Sequence, residues 1–104
     1  MPDDNWYLVD NGATLGQRGS ENGVIIRDEE HSRGARITLE QGSNIALFSI
    51  TCGIYGVMFH TRFFANEAEG RAAYNLMKPE IALIAEGDAS TAPVMASAFV
   101  AQFP

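Results

Sequence analysis

The residues of this 104-residue chain best spaced for chemistry are His60 and Arg62. They stand two apart in a run of β-branched and aromatic residues. On a strand they therefore project from one face, about 7 Å apart at a rise of about 3.3 Å per residue. An imidazole titrates near neutrality, and a guanidinium offers a planar fork to a carboxylate or phosphate. With Glu40 on a nearby strand and Tyr55 at the head of their own, His60, Arg62, Tyr55 and Glu40 form a candidate ligand-binding or proton-transfer cluster. The plainer alternative is a solvated cross-strand face on which Arg62 pairs with Glu40 and nothing reacts.

Other reactive types are less well placed. Cys52 is a nucleophile only if its thiol is activated and His60 is close, whereas sharing a face with Phe48 and Ile50 predicts a buried, inert cysteine. Asp28, Glu29, Glu30 and His31 carry metal-ligand atoms, but consecutive residues in a tight loop point apart. A structural zinc site wants four convergent ligands, commonly with sulfur, and the chain has one cysteine and two histidines. A solvated loop and no metal or cofactor are expected. Ser49, Thr51 and His60 have no evident acidic orienter for a triad. Gly16 and Gly19 are too closely spaced for a phosphate loop, and neither a Walker lysine nor a full G-x-G-x-x-G is present.

The elements that must hold these residues begin with the apolar run 44–64, read as two adjacent strands, 45–50 and 55–63, turning at Cys52, Gly53 and Gly56. On the second strand Val57, Phe59, Thr61 and Phe63 are expected to face the core and Met58, His60 and Arg62 the open side. Upstream, residues 5–10 suggest a short strand, and Asn11-Gly12 a type I′ hairpin with 13–15 pairing back. Residues 16–23 read as a glycine-rich connection. Residues 23–28 and 35–41 are strands joined by a charged loop, 29–34, closed by Gly34, a glycine that can take a left-handed conformation. In the second of these Ile37 and Leu39 alternate with Arg36, Thr38 and Glu40, so Arg36, Glu40 and Arg62 are expected on one polar face. Residues 41–44 form the next turn.

Asn66 followed by Glu69 is a capping box that starts a helix with an apolar stripe of Ala68, Ala72, Ala73, Leu76 and Met77. Pro79 predicts a break, with a second segment from 79 to 86 stopping at Gly87. Residues 93–103 fit a helix, with Met95, Ala98, Phe99 and Phe103 on one side, although alternation at Val94, Ala96, Ala98 and Val100 also fits a strand. Strands first and helices last define an α+β fold. The expectation is an antiparallel meander of four to six strands followed by two or three C-terminal helices packed on one face. Its expected core comprises Leu47 or Phe48 with Ile37, Leu39, Val57, Phe59, Leu76 and Leu83.

Composition sets the remaining bounds. A chain of this length forms one domain, 1–104, with an ordinary share of apolar (46%) and charged (19%) residues. The formal charge of -6 is uneven: the first 22 residues and those after 65 are acidic, whereas the sheet region is balanced. With one lysine, the chain lacks the clustered positive charge that nucleic-acid binding needs. The acidic N-terminus and the absence of a long apolar run predict neither export nor a membrane span, and an unpaired cysteine fits the cytoplasm. The function expected is that of a small acidic interaction module that binds another protein, a basic one by charge, or pairs with itself as a dimer. The alternative is a small-molecule or anion-binding protein, or a minor enzyme, using the His60/Arg62 cluster.

Overall fold

The structure, a computed structural model, describes residues 5–42 and 46–104. Five strands, Trp6–Leu8 (β1), Val24–His31 (β2), Ala35–Gln41 (β3), Phe48–Ile54 (β4) and Met58–Phe64 (β5), form one antiparallel sheet in chain order. Two helices, Glu67–Glu86 (α1) and Ala92–Gln102 (α2), cover one face. This is the α+β meander with C-terminal helices that the order of elements predicts. β3 occupies the expected residues.

Local expectations in the first strands are corrected. The Asn11-Gly12 dipeptide does not make a hairpin: Asp10, Asn11 and Gly12 adopt φ of 49°, 57° and 91°, but β1 pairs with β2, Trp6 opposite His31 and Leu8 opposite Glu29. Residues 16–18 instead pair along the edge of β2, Gly16 and Gln17 sharing backbone hydrogen bonds with Ile25, and residues 19–23 fold over Glu40 on the outer face. The charged triplet Glu29, Glu30 and His31 belongs to β2, not to a loop, because pairing with β3 continues to His31 opposite Ala35. Only residues 32–34 turn, with Gly34 at φ 92°.

The central hairpin turns later than predicted. Its bend is Tyr55-Gly56-Val57, with Gly56 at φ 76° and the Val57 amide donating to the Ile54 carbonyl at 2.9 Å. Of the two glycines that could bend the chain, Gly56 takes the left-handed conformation. Gly53 stays in β4 opposite Phe59, whose ring edge would lie 3.6 Å from an added Cβ. The expected strand start at Ile45 lies outside the described residues.

Asn66 caps α1 as predicted, its Oδ1 accepting from the Glu69 amide at 2.9 Å. Pro79 does not break the helix. A buried stripe of Gly70, Ala73, Tyr74, Met77, Ile81 and Ile84 runs across it onto the sheet, and this packing outweighs a penalty of about 3 kcal/mol for the proline. Leu76 and Leu83, expected in the core, are 64% and 57% exposed because that stripe lies on the other side of the helix. The last segment is the helix α2, not a strand; it buries Ala92, Ala96 and Phe99, with Phe103 buried just beyond it, while Ala98 is exposed. The core lies between Ile37, Leu39, Ile50 and Cys52 on the sheet and Tyr74, Met77 and Ile81 on α1. Phe48 is buried and Leu47 exposed.

Candidate functional site

Strand register sorts the polar residues. Ile37, Cys52 and His60 form one cross-strand row and Leu39, Ile50 and Arg62 another, both beneath the helices. On the outer face the rows are Arg36, Gly53 and Phe59; Thr38, Thr51 and Thr61; and Glu40, Ser49 and Phe63. His60 and Arg62 share a face, as their spacing predicts, but it is the covered one. Phe59, expected in the core, is 75% exposed, and Phe63 41%. Both faces of β5 carry large apolar side chains, so β5 alone does not choose. Its partner does: β4 presents Phe48, Ile50, Cys52 and Ile54 on one side and Ser49, Thr51 and Gly53 on the other. Arg36 and Glu40 lie together on the outer face, and Arg62 lies opposite them.

The four candidate residues are therefore not brought together. His60 shares a hydrogen bond through Nε2 with the Phe103 carbonyl, and Arg62 donates through Nε to the Pro104 carbonyl at 3.1 Å. Both act on the two residues that follow α2, the first of which, Phe103, is its C-cap. Tyr55 stands on the β4–β5 turn, 93% exposed. Glu40 is buried, and its carboxylate accepts the backbone amides of Glu21 and Gly23, at 3.2 Å and 3.0 Å. It pins the loop 19–23 against the sheet. Gly19 packs so close to that carboxylate, and Gly23 to the Gln41 carbonyl, that a Cβ would fall 2.3 Å and 2.8 Å away.

Beside Glu40, buried Asp28 binds Arg36 through both carboxylate oxygens, at 2.9 Å and 2.6 Å, and accepts from the hydroxyls of Thr38 and Thr14, each at 2.8 Å. The hydrogen bonds that Arg36 donates to Asp28 raise the Arg36 pKa. This network was hidden in the sequence by ending β2 at Asp28. With the turn closed at 32–34, Asp28 falls opposite Thr38. Between the loop and the sheet lies an open cleft of about 850 Å³, floored by Thr38 and Thr51 and rimmed by Tyr7, Tyr55 and Phe59.

The covered face has its own polar cluster. Tyr74 and Lys78 donate to Glu29, both at 2.8 Å, and Arg27 lies over the Tyr74 ring. Burial would raise the Glu29 carboxyl, but the hydrogen bonds from Lys78 and Tyr74 hold it below its ordinary value. His31 is buried. Its Nδ1 accepts the Arg33 amide, so Nε2 carries the proton and donates to Glu86 at 2.7 Å. Burial pushes the Cys52 thiol up to about 12. Among the described residues no group of His, Cys, Asp and Glu converges to hold a metal ion, and no helix is long and apolar enough to cross a membrane.

Fold and site together define a five-stranded α+β meander with one helix-covered face and one outer face carrying a polar cleft with an aromatic rim. No protein-family model, curated protein or solved structure matches the chain.

Proposed function

We propose that this protein is a non-catalytic interaction module that associates with a second copy of itself through its β5 strand. The observation that carries this reading is the exposure of Phe59 and Phe63 on β5, an edge strand. Large exposed rings on one strand commonly mark an interface, and twofold dimers are the commonest closed assembly. The reactive side chains are otherwise engaged: Cys52 is buried, and His31 and His60 are held in structural hydrogen bonds. A net charge of -6 keeps the assembly soluble and favours a basic protein as any further partner. The buried free thiol goes with a reducing, cytoplasmic setting. Sedimentation at micromolar concentrations tests the association. Twice the chain mass of 11.3 kDa is expected, and 11.3 kDa at every concentration would overturn it.

The outer-face cleft favours a second reading, a site for a small polar ligand hydrogen-bonded by Thr38, Thr51 and Arg36. Amide NMR spectra recorded with a library of polar fragments test it. Shifts confined to these residues and lost in Thr51→Val would support it, and unchanged spectra would remove it.

A further inference from the structure

We propose that two copies join edge to edge along β5, with the twofold axis at Thr61, so that two five-stranded sheets become one continuous sheet. This rests on the self-association proposed above and gives it a geometry.

The backbone ladder supplies the first support. In an antiparallel pair, directly opposed residues alternate between exchanging hydrogen bonds and pointing their backbone groups away. The Gly42 amide donates to the Leu47 carbonyl at 2.6 Å and the Tyr55 amide to the Gly34 carbonyl at 2.9 Å. Both pairs continue the β3–β4 register, so the odd-numbered residues of β4 bond to β3 and the even-numbered ones to β5. Across the β4–β5 register it follows that Met58, His60, Arg62 and Phe64 bond to β4. Phe59, Thr61 and Phe63 turn their N–H and C=O groups to the outer edge, which no strand among the described residues covers.

The strand sequence supplies the second. Read from Thr61 outward, Met58-Phe59-His60-Thr61-Arg62-Phe63-Phe64 is nearly the same in both directions. A twofold axis at Thr61 sets Phe59 against Phe63 of the second copy and Thr61 against Thr61, each pair exchanging two backbone hydrogen bonds. On the other face it sets Met58 against Phe64 and His60 against Arg62. The neighbouring registers that also match outward groups are worse. An axis at Arg62 opposes two like charges, and one at His60 sets Phe59 against Thr61 and His60 against itself. The axis at Thr61 also extends the row Thr38, Thr51, Thr61 into its counterpart and places a second-copy Phe63 beside Phe59 at the rim of the cleft.

The edge itself supplies the third. Exposed edge strands are ordinarily guarded by shortness, proline, lysine or a bulge. β1, at the opposite edge, is three residues long. β5 is seven residues long and regularly paired, without proline or lysine. Neither β5 nor the α2 helix packed beside it contains an acidic residue, so no carboxylate of these elements meets its counterpart across the joint.

Amide hydrogen exchange of the wild-type protein, followed by NMR at low and high micromolar concentration, tests the geometry. The amides of Phe59, Thr61 and Phe63 should slow at least tenfold with concentration. Those of His60 and Arg62, already bonded to β4, should not change. Oxidative crosslinking provides a second readout. Thr61→Cys places two thiols at a Cα spacing of about 5.5 Å, within disulfide reach, whereas two Phe63→Cys sites lie about 14 Å apart. Thr61→Cys should link and Phe63→Cys should not. Dimer mass with unprotected odd-numbered amides, or linking at residue 63 in place of 61, would overturn the β5 geometry and leave self-association standing. A monomer at every concentration would overturn both.

Discussion

At the scale of single residues, the most informative side chains are those whose environment contradicts their type. Phe59 is aromatic yet outside, so Phe59→Ser should change folding stability by less than about 1 kcal/mol while removing the dimer from sedimentation profiles. A loss of several kcal/mol would place the ring in the core. Glu40 is charged yet buried, and its carboxylate satisfies amides of the loop above it. Glu40→Ala should cost about 1–3 kcal/mol in urea unfolding and free the loop, visible as faster exchange of the Gly23 amide. Cys52, its thiol pushed up to about 12, should resist iodoacetamide at pH 8 in the folded protein and react at once in denaturant.

At the scale of elements, each strand and helix is placed by its neighbours as much as by its own pattern. α1 shows this most plainly. It keeps Pro79 in its interior because the apolar stripe on either side is anchored to the sheet, and Pro79 itself is exposed. Pro79→Ala should therefore raise stability by about 1–3 kcal/mol without altering the sheet, as read from thermal unfolding. Destabilisation would mean that the proline shapes a bend the packing requires. β5 is placed in the same way: Ser49, Thr51 and Gly53 on β4 send Phe59 and Phe63 outward.

At the scale of the whole molecule, the sheet and α1 are joined by the ion pair of Glu29 with Lys78 as well as by the core. The folded-state pKa of Glu29 lies below its ordinary value of 4.5. Its ionised form therefore contributes stability that is fully present above about pH 4.5 and lost as pH falls through the lower, folded-state value. Glu86, hydrogen-bonded by His31, is shifted in the same direction. The urea midpoint should thus fall between pH 5 and pH 3, and Glu29→Gln should flatten part of that fall. An unchanged pH dependence in Glu29→Gln would show that this pair does not link the layers.

The sequence by itself determined the order of elements, the residues of β3, the cap at Asn66 and the left-handed turn at Gly34, and it favoured a buried Cys52 over a reactive one. Each of these is written in local chemistry: alternation, a side chain that accepts a nearby amide, a glycine where φ must be positive. It also showed that His60 and Arg62 share a face, because a strand has a period of two. Which face that was depended on β4, and the side of α1 that met the sheet depended on the sheet's own apolar rows. The Asp28–Arg36 and Glu40 networks joined residues from elements far apart in the chain. Only the tertiary structure decided these, because burial is settled between surfaces and a single strand or helix with apolar residues on two sides carries no local record of which side will be covered.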